Sequence, residues 1–204
     1  MCQISNPLLL DTFPEYLNSA KRILFVGQQT NGWGNYLGQH ETDDNVEELM
    51  ALYRKFHLGE KYLPAPFLNA CRTICRRLNP GSSDLSFIWT NLVKVDQCGR
   101  RPCQEVENRV SQSFPVLIDE IGILNPDAVI FFSGPNYDSR ISAIFGLNFD
   151  DISQQVDNFE LRRLALLVHR CLPAKSYRTY HPSYLRRKGL EGTIVDKICD
   201  LING

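Results

Sequence analysis

No stretch of this chain approaches the roughly 20 consecutive apolar residues that a helix needs to cross a bilayer. Its start, MCQISNPLLLDTF, lacks the basic segment and long apolar run of a secretory leader. The expected location is cytoplasmic, with no membrane partner. An excess of charge is missing as well: 22 Lys and Arg stand against 23 Asp and Glu, for a net charge of −1. That excludes the overall positive field of a histone-like binder. Any contact with a polyanion must come from local clusters, and Arg100-Arg101 and Arg186-Arg187-Lys188 are the clearest.

Metal and cofactor signatures are equally scarce. The seven cysteines (Cys2, Cys71, Cys75, Cys98, Cys103, Cys171, Cys199) are odd in number and contain no C-x-x-C pair, which argues against a disulfide scaffold. Cys71 and Cys75 are four apart in a helical pattern and so share one face. Free thiols, no metal and no cofactor are expected. The glycine-containing segment GQQTNGWG (27–34) is followed by no G-K-[ST] and does not fit G-x-G-x-x-G, which leaves out a P-loop and a dinucleotide fingerprint.

What the chain has is apolar mass in a regular order. With 204 residues, 43% of them hydrophobic, and 11 Phe, 8 Tyr and 2 Trp, it can bury a full core as one domain over 1–204, expected to be monomeric. Helical spacing appears at Val46, Leu49, Met50 and Tyr53, at Phe67, Cys71, Ile74 and Leu78, from Glu105 to Leu124 with Pro115 as a kink or restart, and from Thr193 to Ile202. Residues 161–172 fit helix or strand, with a strand from Leu164 preferred, and 35–45 and 80–84 read as loops.

Between these lie four apolar runs that each stop at polar, turn-forming residues: 23–27, 87–90, 128–132 and 177–180. They predict parallel neighbouring strands in a doubly wound α/β sheet. Parallel strands end on one edge, and ligands bind in the crevice outside those carboxyl ends. Gln28, Gln29, Asn91 and His181 would then meet.

Each of these residues also has a plainer reading. The glycines of 27–34 serve a tight strand exit as readily as a ligand loop, and Asn91 can cap a turn as well as present one acceptor and two donors to the edge of uracil. Pro182 pushes His181 into an extended conformation that fixes the imidazole near the sheet edge, where it could donate to an anionic leaving group or simply hold structure.

Together the segments resemble the uracil-DNA glycosylase superfamily, in order from about residue 20 to residue 190. TYHPSYLRR (179–187) is similar to the superfamily's histidine-proline-serine loop, above all in the iron-sulfur branch. TNLVK (90–94) with GRRP (99–102) resembles the asparagine-bearing loop of that branch, and LNPDAVIFFSG (124–134) the helix end and third strand. The resemblance implies a three-layer α/β/α fold around a central four-stranded parallel sheet, DNA as partner, and extrusion of the target base into a pocket. Residue by residue, it implies that Asn91 reads uracil, that Gly27 belongs to the substrate-binding set and that Phe67 stacks on the base. His181 would stabilise the departing anion, Ser183 would hold a phosphate, Tyr184 or Leu185 would wedge the base stack, and Arg186 and Arg187 would face the backbone.

The sequence departs from that pattern at the first motif, where the superfamily supplies Asp, Glu or Asn and this chain has Gln28 and Gln29. A glutamine amide can orient a water but cannot offset the charge of a cationic sugar. Losing one such electrostatic group costs about 10²- to 10³-fold in rate. The branch's cysteine pair is absent too, with Cys2 alone ahead of the first motif. The expectation is a glycosylase for uracil or a related deaminated base, with a weak or inactive relative that binds a base, nucleotide or modified DNA as the alternative.

Overall fold

The computed structural model describes residues 3–36, 44–58, 65–113 and 116–204. In chain order it contains α1 (Pro14–Leu17), β1 (Ile23–Gln29), α2 (Asp44–Leu58), α3 (Pro66–Leu78), β2 (Ile88–Val93), α4 (Gln104–Ser113), α5 (Val116–Leu124) and β3 (Ala128–Phe131). Then follow α6 (Asp138–Phe145), α7 (Phe149–Ile152), β4 (Ser153–Gln155), β5 (Leu164–Leu167), β6 (Lys175–Thr179), α8 (Pro182–Arg187) and α9 (Glu191–Asn203). Cys2 and most of the loop expected over 35–45 lie outside the described residues. So does Pro115, although the helical pattern around it resolves into two helices.

The strands form one mixed sheet in the order β2-β1-β3-β6-β5-β4, flanked by helices. β2, β1, β3 and β6 run parallel. This corrects the expected four-stranded sheet, because β5 adds antiparallel to β6 and β4 antiparallel to β5. The parallel strands are apolar runs because both faces are covered: Ile23, Leu24, Phe25, Val26 and every residue of β3 are buried. β4 is only Ser-Gln-Gln and mostly exposed, as suits a short edge strand.

Strand order dictates where the helices go. The chain moves from β1 outward to β2, then back past β1 to β3, and right-handed crossovers on opposite headings place their helices on opposite faces. α2 and α3 therefore cover one face and α4 and α5 the other. α3 packs against α8 and α9, and α5 against α6. The heading reverses at β1, so the crevice outside the ends of β1 and β3 is the favoured ligand position.

Two smaller expectations need correcting. Val46 does not pack inward with Leu49 and Tyr53; it is half exposed on α2. Nor are all the cysteines thiols: Cys71, Cys75, Cys103, Cys171 and Cys199 are free, whereas Cys98 is disulfide-bonded. Among the described residues no helix is long and apolar enough to cross a membrane.

Candidate functional site

Gly27 and Asn91 are register partners on adjacent strands. A Cβ on Gly27 would collide with Asn91 Oδ1 and lie 3.3 Å from the Phe67 ring. The missing side chain therefore lets the Asn91 amide and the first turn of α3 close over the strand. Asn91 is 6% exposed, yet its side-chain amide makes no hydrogen bond among the described residues. Buried polar groups are nearly always paired, so one left open has to be explained.

Phe67 joins this asparagine to the fourth strand exit. Its ring lies edge-on to Trp89 and Phe132, at 5.9 and 6.0 Å, and nearly parallel to His181 at 6.0 Å. Holding a third aromatic plane between Phe67 and His181 needs about 7 Å, two van der Waals contacts of ~3.5 Å. A base that stacks on Phe67 must therefore displace His181 or approach from the open side.

His181 takes φ −57° and ψ 138°, the extended geometry that the following proline imposes, and forms the N-cap of α8. Its Nδ1 accepts from the Ser183 amide at 3.2 Å, which puts the neutral ring's proton on Nε2. Burial lowers its pKa from 6.5 to about 4. At neutral pH it is an uncharged imidazole with one N–H to donate.

The first-motif glutamines bridge to the loop after β3. Gln28 Nε2 donates to the Ser133 carbonyl at 2.7 Å, leaving its amide oxygen as an acceptor for a water. Gln29 Oε1 accepts from the Tyr137 hydroxyl, leaving its NH2 group to donate. The buried carboxylate of the loop after β2 does not replace the missing one. Asp96 is 1% exposed and spends its two oxygens on the amides of Trp33, at 3.0 Å, and Gly99, at 2.8 Å, tying the first loop to the second.

The structure thus brings Gly27, Phe67, Asn91 and His181 together, with Gln28 and Gln29 on the adjoining strand end. It does not bring Leu185 to the surface. That residue is 1% exposed and belongs to the core, which corrects its place as a wedge; of the two wedge candidates only Tyr184 keeps open area, and its ring stacks on Tyr180 at 4.3 Å. Ser183 stays partly exposed, Arg186 is engaged with Glu191 at 2.6 Å, and Arg187 is exposed.

Sequence reasoning missed Tyr137 and Ser133, which fix the two glutamines, and Phe132, which backs Phe67. Phe132 and Ser133 lie in the quoted segment at the third strand exit and Tyr137 three residues past its end, and the pattern that flagged that exit was their only signal. Lys94 in the TNLVK segment is 3% exposed and paired with Glu120 at 2.5 Å, so it serves the fold. Among the described residues no three His, Cys, Asp or Glu side chains gather as a metal would require. No protein-family model matches the sequence, and comparison with the curated proteins gives no significant match.

Proposed function

We propose that the protein is a DNA glycosylase that hydrolyses the N-glycosidic bond of uracil or a related deaminated base extruded from its strand. The observation that carries this reading is the open Asn91 amide, nearly buried and without a hydrogen-bond partner among the described residues, close to the Phe67 ring against which a neutral histidine stacks. An amide so placed can pair with the edge of a pyrimidine, which offers an acceptor and a donor side by side.

The chemistry follows from which groups are charged. As the glycosidic bond breaks, electrons pass to the base and negative charge grows on its oxygen. His181 Nε2–H can donate to that oxygen, an interaction that strengthens only as the charge develops. The Gln28 amide oxygen can orient the attacking water. No carboxylate lies in this set to balance the sugar, so leaving-group stabilisation carries a larger share of the rate enhancement than in a site that has one.

That same absence favours a second reading, a protein that binds a base, nucleotide or modified DNA through these residues without cleaving it. An abasic-site assay separates the two. Single- and double-stranded oligonucleotides carrying uracil, hypoxanthine or xanthine are incubated with excess protein and treated with alkali. Strand scission at the marked base is expected for at least one substrate, and binding without scission establishes the second reading.

A further inference from the structure

The antiparallel strands that enlarge the sheet also enlarge its ligand edge. Because β5 runs against β6, the residues that lead into β5 lie beside the carboxyl end of β6. The carbonyl of Arg162 accepts from Arg178 at 2.8 Å and that of Arg163 from the Thr179 hydroxyl at 2.7 Å, which pins this backbone two or three residues from His181. Here lies a groove of about 460 Å3 lined by Glu160, Arg162, Arg163, Tyr180, Tyr184, Lys188 and Leu190.

Its chemistry is that of a nucleotide cradle. Tyr180 and Tyr184 form a stacked pair with centroids 4.3 Å apart and planes 25° apart, and Lys188 Nζ stands 6.0 Å from the Tyr184 ring. A Cβ on Gly134 would lie 3.4 Å from the Tyr180 ring, so the pair also borders the loop after β3. Arg162 and Lys188 are exposed and have no carboxylate partner among the described residues. The one acid in the lining, Glu160, faces Arg163 at 3.4 Å in a solvent-exposed pair that is weakly held.

We propose that this groove is a second nucleotide subsite, which takes an unpaired nucleotide of a single DNA strand with its base on Tyr184 and its phosphate on Arg162 and Lys188. The proposal rests on the reading of the protein as DNA-directed and names its substrate as single-stranded. An aromatic platform beside cations is how strands are held without sequence choice, and a base already stacked in a duplex cannot reach it. The groove opens at Tyr180, the residue before His181, so one strand can occupy it while presenting its neighbouring base to Asn91.

The test reads binding and not excision. A short fluorescent oligonucleotide containing only thymine is titrated with protein at several salt concentrations, followed by fluorescence anisotropy. Replacing both Arg162 and Lys188 by Ala, two exposed positions that the fold does not need, is expected to weaken binding about tenfold or more and to flatten the salt dependence by about 0.7 in log–log slope per lost phosphate contact. Tyr184→Ala is expected to weaken binding about tenfold with the slope unchanged, and Tyr184→Phe to restore it.

Wild-type affinity in the Arg162→Ala/Lys188→Ala variant overturns the proposal, as does equal affinity for the matched thymine–adenine duplex. Competition by thymidine monophosphate as strong as by the oligonucleotide assigns the groove to a free nucleotide and overturns the strand. Equal competition by poly-glutamate reduces it to charge alone and also overturns it. Groove binding with no excision of uracil, hypoxanthine or xanthine sinks the glycosylase reading and leaves the groove standing. Excision with groove variants that bind like wild type sinks only the groove.

Discussion

Strand β2 carries two polar centres on consecutive residues, and they are built in opposite ways. On one face the Thr90 hydroxyl donates to Glu120 at 3.0 Å, and the Lys94 ammonium bonds both Glu120 oxygens and the Thr90 hydroxyl. On the other, Asn91 meets Gly27 close to Phe67, whose ring stacks on His181, with no charge in this set and no partner for the Asn91 amide among the described residues. The first centre is charged and closed. The second is neutral and open, and only an open centre has hydrogen-bonding capacity left for a ligand. Burial cannot tell them apart, because Lys94 and Asn91 are 3% and 6% exposed.

Opening the closed centre gives the largest expected effect. Glu120→Ala strands a lysine whose pKa burial already pushes down against the pull of Glu120. Removing one partner of a buried ion pair costs about 3–5 kcal/mol, whereas exchanging both for apolar groups is often near neutral. Urea unfolding should show the large loss for Glu120→Ala and most of the stability regained in Lys94→Met/Glu120→Leu. Equal losses in the two variants would mean that the pair does more than cancel its own burial.

Acid tests the neutral centre. Burial lowers His181 and His57 from 6.5 to about 4, so between pH 6.5 and 4 the unfolded chain binds protons that the folded one refuses. Stability is then full above about pH 6.5 and falls as pH drops toward 4, by at most about 3 kcal/mol for each histidine. Asp138 works against them: burial raises it from 3.8 to about 6 despite Arg178, so the folded state takes up its proton first and gains stability as pH falls through that range. Two groups outweigh one. Thermal midpoints should drop from pH 7 to pH 4.5, less steeply for His181→Gln; parallel slopes for the two proteins would place the titration elsewhere.

How far the sequence foretold these centres depends on the range of the forces that make them. Parallel strands buried on both faces become unbroken apolar runs, so ILFV, FIW and AVIFF announced themselves. The strand preferred from Leu164 is there as β5, but LALL is too short to carry a period that would set its direction, and SQQ of β4 has no apolar signal, so the antiparallel pairing of this edge could not be read. Arg178 in β6 is 1% exposed and held by Asp138, 40 positions away, a burial no local pattern signals. The strand exits located Asn91 and His181 without showing which polar groups were open. That depends on Glu120 for Lys94 and on Tyr137 for Gln29, partners that no local pattern reveals.

Removing the donor from the open centre should act on rate more than on affinity. His181→Ala is expected to slow single-turnover excision about 10²-fold while DNA binding changes little, since its hydrogen bond matters as charge appears on the base. Loss of the N-cap contact to Ser183 should cost only ~1 kcal/mol of stability. Equal excision by wild type and His181→Ala, both above background, would remove the histidine from the mechanism.

Asn91 should affect choice of base rather than speed. An amide paired with a base edge contributes about 1–3 kcal/mol to discrimination, so Asn91→Ala should narrow the ratio of excision rates, or of affinities if no cleavage occurs, between uracil and hypoxanthine. Truncation alone is ambiguous, because it also empties space beside Phe67. Gly27→Ala resolves this. It keeps the amide but puts a methyl group where Asn91 Oδ1 lies, and the short asparagine side chain can make room only by turning away. If Asn91 reads the base, Gly27→Ala should lose discrimination to a similar degree with the amide still present. Discrimination that survives Gly27→Ala and disappears in Asn91→Ala would make the asparagine a packing residue and leave base reading to another group.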